Sequence, residues 1–108
     1  MYKISVYIPK SHLEIVKDAL FSAGAGRYKN YDSCSWQILG EGQFRALEGS
    51  APFIGEQMLV ETVDEYKVEM VCDEAHIKQA VVALIAAHPY EEPAYEIYEF
   101  KTLDDLNR

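Results

Sequence analysis

Sliding the chain against itself by 64 positions carries Lys3 onto Lys67, His12 onto His76, Ala19 onto Ala83, Leu20 onto Leu84 and Ala23 onto Ala87. This internal repeat constrains the fold more than any single motif, because each copy reads as a strand followed by a helix. In the first copy, Tyr2 to Ile8 alternates β-branched or aromatic residues with polar ones, and Pro9 ends the strand. Ser11-His12-Leu13-Glu14 has capping-box spacing. Leu13, Val16, Leu20 and Ala23 then recur at helical spacing, with Ile15 and Ala19 beside them, and Gly24 stands where a left-handed residue stops a helix. In the second copy, Tyr66 to Cys72 is the strand and Asp73 the expected N-cap. Ile77, Ala80, Val81 and Leu84 form the helical face, and Pro89 bars the α conformation at His88.

A further strand follows each helix, Cys34–Leu39 after the first and Ala94–Lys101 after the second. The order β-α-β-β-α-β predicts an α+β, ferredoxin-like split β-α-β domain, an antiparallel sheet with two helices on one face. A chain of 108 residues has room for one such domain, with repeats at 2–24 and 66–88. Residues 40–65 exceed a hairpin turn and hold strand signals of their own, Gln43–Leu47 and Met58–Val63, around a Glu48–Gly55 loop. We read them as an extra β-hairpin insertion projecting from the sheet. Loops this long in small domains are often functional.

Composition removes several classes of function. The net charge of −8 opposes a phosphate backbone, and no window clusters five basic residues, so nucleic acid is not an expected partner. Cys34 and Cys72 form neither a disulfide framework nor a Cys-x-x-Cys knuckle, which fits a reducing, cytoplasmic setting. The N-terminus reads as a strand rather than a signal peptide. The longest apolar run, Ala80 to Ala87, is too short to span a bilayer, so no membrane partner is expected.

His88-Pro-Tyr-Glu-Glu-Pro93 is the densest polar cluster. His88, Glu91 and Glu92 offer an imidazole and two carboxylates, a mixed donor set that suits zinc or a similar divalent ion. The competing reading is a rigid helix-to-strand connector fixed by its two prolines. Gly24, Gly26 and Arg27 are candidate ligand contacts, offering backbone amides and a guanidinium to an anion. The competing reading there is a glycine C-cap, since the turn follows a helix and lacks the third glycine of a dinucleotide fingerprint. Tyr90 is a further candidate ligand contact, although tyrosines most often pack sheet faces. His12 and His76 occupy equivalent helix starts, and Cys34 beside Trp36 reads as a packed thiol rather than a nucleophile.

Four segments carry a family resemblance: Gly24 to Trp36, Gly40-Glu-Gly-Gln-Phe44, Ala51-Pro-Phe-Ile-Gly55 and His88-Pro-Tyr-Glu-Glu-Pro-Ala-Tyr-Glu-Ile-Tyr98. Together they resemble the module inserted in YqfO-type members of the Nif-three-like dinuclear-metal family, commonly labelled GTP cyclohydrolase I type 2 homologues. Tyr28 and Lys29 depart from the aliphatic residue and glycine of that pattern. The resemblance implies a PII/CutA-like module, ferredoxin-like and trimeric. It also places the family's two-metal site in flanking domains, so a stand-alone module would not inherit the hydrolase activity.

The resulting expectation is a non-catalytic PII/CutA-like homo-oligomer, a trimer with a dimer as alternative, binding a small ligand or divalent metal. The alternatives are a metal-dependent hydrolase acting through His88 and its glutamates, and a structural partner of a dinuclear-metal core protein. Topology adds that His88–Pro93 should lie near the base of the 40–65 excursion and Gly24–Arg27 at the opposite edge.

Overall fold

Alternation in the first strand sets the layering. In β1 (Tyr2–Pro9) the side chains of Ile4, Val6 and Ile8 are fully buried on one face. The computed structural model describes residues 1–106 and places β1 between β3 (Val60–Cys72) and β4 (Tyr95–Glu99), with β2 (Trp36–Arg45) outside β3. All pairings are antiparallel, giving the order β2-β3-β1-β4. Helices α1 (Leu13–Ser22) and α2 (Ile77–Ala87) pack on the face that carries Ile4, Val6 and Ile8. Val16, Leu20, Ala80 and Leu84 meet Val68, Met70 and Cys72 there, as the helical spacing predicts. Ile15 instead faces solvent. Cys34 and Cys72 are free thiols; burial, reinforced by the charge of Asp73, pushes the Cys72 thiol up to about 11.

The expected helix boundaries hold, with changes of detail. The amide of Ala25 donates to the Leu20 carbonyl (3.0 Å) and that of Gly24 to the Phe21 carbonyl (3.1 Å). This pair is a Schellman closure, with Gly24 at φ 107°. The capping box at Ser11 does not form. A 3₁₀ turn over Lys10–His12 precedes α1, and the Ser11 hydroxyl pairs with Nδ1 of His12 (2.8 Å). Asp73 does cap its turn, its Oδ1 accepting the His76 amide at 3.0 Å. A short C-terminal helix, α3 (Leu103–Leu106), was not anticipated by the periodicity, and Asp104 on it pairs with Lys29 at 3.9 Å.

Residues 40–65 form a hairpin that continues the two long strands of the sheet. The β2–β3 ladder runs without interruption from Trp36↔Glu69 to Arg45↔Val60, so the expected Cys34–Leu39 and Gln43–Leu47 strands merge into one element that leaves out Cys34, Ser35, Ala46 and Leu47. Long-range pairing overrides the weak strand preference of Gly40 and Gly42. The hairpin stretches the molecule to 51 Å along its longest axis. No helix among the described residues is long and apolar enough to cross a membrane.

Candidate functional site

Pro89 ends α2 and leaves His88 in an extended conformation, with its amide still donating to the Leu84 carbonyl (2.9 Å). That turn drives the imidazole into the protein, where His88 is 6% exposed. Its Nε2 lies 2.7 Å from the carbonyl oxygen of Tyr7, so Nε2 carries the proton and donates. Nδ1 accepts the amide of Tyr90 at 3.1 Å. Both ring nitrogens are therefore committed. Burial also holds the imidazole below its ordinary value, opposed by the Tyr7 carbonyl and assisted by the charge of His12.

The ring of Tyr90 stacks obliquely on His88, with centroids 4.8 Å apart. Its hydroxyl reaches Oε2 of Glu65 at 3.4 Å, a long contact. Burial, then the charge and hydrogen bond of Glu65, pushes the Tyr90 phenol up to about 12. Burial raises the Glu65 carboxyl, partly offset by the Tyr90 hydrogen bond. Gly42 makes this arrangement fit, because a Cβ there would run into the Glu65 carboxylate. Two elements of the hairpin close over Tyr90: Phe44 at 6.4 Å and Phe53 at 6.3 Å between ring centroids. Phe53 also meets His12 edge-on at 5.4 Å. Oε2 of Glu91 accepts the Ala51 amide at 2.7 Å, tying the connector to the hairpin loop.

Between hairpin and connector lies a cleft of about 450 Å³. Phe44, Phe53 and Tyr90 line it together with Glu65, Glu91 and Glu92. Its size and its mixture of aromatic wall and few polar groups are those of a small-molecule site.

The expected site residues thus divide. His88, Tyr90, Glu91 and Glu92 lie at the hairpin end, as the topology implied. They do not assemble as a metal-ligand set: no group of three or more His, Cys, Asp or Glu side chains is gathered for a metal among the described residues. His88 has no free lone pair, Glu91 holds a backbone amide, and Glu92 is exposed at the rim. Gly24, Gly26 and Arg27 sit at the other end of β1, where the Gly26 amide donates to the Val71 carbonyl (2.7 Å) and Val71 pairs with Lys3. The Gly24, Ala25 and Gly26 amides all have backbone acceptors, so they form no anion cradle. A Cβ on Gly24 would collide with the His76 ring, and one on Gly26 with Phe21 and the Cys34 carbonyl. Both glycines serve close packing, and Arg27 points to solvent. Sequence reasoning missed Phe44, Phe53 and Glu65. The glycine at 42, opposite a strand of larger residues, was the one local hint of a filled space.

No protein-family model matches the chain. The GTP cyclohydrolase 1 type 2 homolog of Halalkalibacterium halodurans is 44% identical over 98 residues, 91% of this chain and 26% of that protein. A solved structure of a Bacillus cereus protein related to NIF3 superposes with a TM-score of 0.80 at 34% identity, covering 94% of this chain and 26% of that one. The PII-like protein CutA from Nostoc sp. PCC 7120 superposes with a TM-score of 0.68 at 15% identity, covering 98% and 89%, a likeness of fold alone. The chain spans about a quarter of the length of the curated relatives it matches. It is therefore a relative of one segment of the NIF3-like GTP cyclohydrolase 1 type 2 homologues, built on the ferredoxin-like fold of CutA and PII-like proteins.

Proposed function

We propose that the chain is a non-catalytic, self-associating module that binds a small ligand in the cleft between hairpin and connector. The observation that carries the reading is the closure of Phe44 and Phe53 over Tyr90 above Glu65, which builds a walled cleft from three separate parts of the chain. The polar groups there favour binding over proton transfer. His88 is held neutral with both nitrogens engaged, and the Tyr90 phenol sits at about 12, far from any working pH. A divalent ion at His88 would first have to displace the Tyr90 amide from Nδ1, so an organic ligand is the better fit.

The sheet face opposite the helices supports self-association. Trp36, Ile38 and Tyr98 share that face and are 56%, 53% and 55% exposed, large apolar areas for solvent to meet. Ser5 lies on the same face between Glu69 and Glu96, its Oγ buried and without a hydrogen-bond partner among the described residues. A homotrimer, the arrangement the PII/CutA resemblance implies, or a dimer would cover this face.

Light scattering on the purified chain tests self-association. The expected result is a single oligomer that falls to monomer in Ile38→Glu; a wild-type monomer contradicts it. A thermal-shift screen of small metabolites tests the cleft: hits should stabilise the wild type and not Tyr90→Leu, and hits indifferent to that change place binding elsewhere.

A further inference from the structure

We propose that the cleft takes a small organic cation, an amine or guanidinium compound with an apolar body, rather than a phosphorylated or carboxylate metabolite. The inference rests on the cleft reading above and specifies its chemistry.

Two features of the lining act in the same direction. The first is the ring cluster: Tyr90 packs against Phe44 and Phe53, tilted by 51° and 46°, and all three rings line one space. Aromatic faces carry negative quadrupole density and attract cations, most effectively where water is partly excluded. The second is charge. Glu65, Glu91 and Glu92 line the cleft, and among the described residues Arg45 is the one lysine or arginine that does. An anion entering here would meet three carboxylates and three aromatic rings, with a single guanidinium to oppose them. The chain as a whole adds a long-range bias of the same sign, with its net charge of −8.

The positions of the carboxylates suit a cation with an apolar tail. Glu65 is half-buried beside the Tyr90 hydroxyl, where loss of hydration disfavours its charged form. An ammonium group beside it restores that loss. Glu91 uses Oε2 for the Ala51 amide and keeps Oε1 for a ligand, while Glu92 stands exposed at the mouth. Pro52, Ile54 and Leu47 supply the apolar wall for the rest of the molecule.

Calorimetry on the full chain tests this with a matched pair, phenethylamine and hydrocinnamate, which share a phenylethyl body and differ in charge, and with ATP as a phosphorylated probe. Phenethylamine should bind and the two anions should not. Glu65→Gln, isosteric with the native side chain, should weaken the amine about tenfold. The exposed Glu92→Gln should weaken it about threefold, and Tyr90→Leu about tenfold. Hydrocinnamate or ATP binding as tightly as the amine, with that binding abolished by Tyr90→Leu, overturns the cation and leaves the cleft standing. An amine affinity unchanged in both Glu65→Gln and Glu92→Gln also overturns it. Binding by none of the three probes removes the proposal and counts against the cleft itself.

Discussion

Nε2 of His88 donates to the carbonyl of Tyr7 across 2.7 Å, tying the end of the second helix to the end of the central strand. From this bond the rest of the site is positioned. The other ring nitrogen accepts the Tyr90 amide, Tyr90 meets Glu65 and two phenylalanines of the hairpin, and Glu91 reaches the Ala51 amide. A buried imidazole thus acts as a joint between connector, sheet and hairpin.

Replacing His88 with Ala leaves the Tyr7 carbonyl and the Tyr90 amide without partners in a buried place. The expected loss is about 2 kcal/mol of folding stability. Urea denaturation measures it. A His88→Ala variant as stable as the wild type contradicts the joint.

The same residue gives stability a pH dependence of known sign. Burial puts the folded-state imidazole below its ordinary 6.5, so the unfolded chain takes up this proton first as pH falls. The contribution of His88 is complete above 6.5 and is lost as pH drops below that value toward the folded one. Glu65 acts in the opposite sense at lower pH. Its folded value lies above 4.5, so its contribution is present below 4.5 and lost as pH rises through the folded value. Melting temperatures between about pH 8 and about pH 4 should therefore fall on acidification through the histidine window. That slope should flatten in His88→Gln and persist in Glu65→Gln.

The Glu91 carboxylate ties the connector to the backbone of the hairpin loop. In Glu91→Ala the Ala51 amide loses its acceptor, and its hydrogen exchange should quicken about fivefold, the effect of one hydrogen bond of about 1 kcal/mol. Exchange at the Val68 amide in the sheet should not change. Equal acceleration at both positions would mean that the variant loosens the whole fold.

Gly24 is a structural glycine. With φ at 107° and the His76 ring against it, Gly24→Ala should cost about 1–2 kcal/mol of stability and leave ligand affinity unaltered. Arg27→Ala, at an exposed position, should change neither. Lost affinity in either variant, with stability intact, would return the glycine turn to candidacy as a binding site.

The repeated half of the fold was legible because local rules suffice there. Alternation placed Ile4, Val6 and Ile8 on one face, helical spacing placed Val16, Leu20 and Leu84 against them, and Gly24 and Pro89 stopped the helices where expected. The hairpin was harder to read. Gly40 and Gly42 look like breaks, and what keeps β2 continuous through them is pairing with Glu65 and Val63 from across the ladder. The site divided in the same way. His88 to Glu92 stood out as a motif and topology brought it to the hairpin, whereas Phe53 meets Tyr90 only because a loop folds back, which no local pattern records. At His88, spacing shows an imidazole and two carboxylates, but not that a carbonyl and an amide engage both ring nitrogens, which only the folded chain reveals.

On the proposed reading, small ligands enter between hairpin and connector and not at the glycine turn. Amide chemical-shift mapping of the full chain titrated with phenethylamine tests it most directly. Saturable shifts should concentrate at Ala51, Phe53, Tyr90 and Glu91, with Gly24, Gly26 and Arg27 unmoved. Shifts concentrated at the glycine turn, or none at the hairpin, would contradict it.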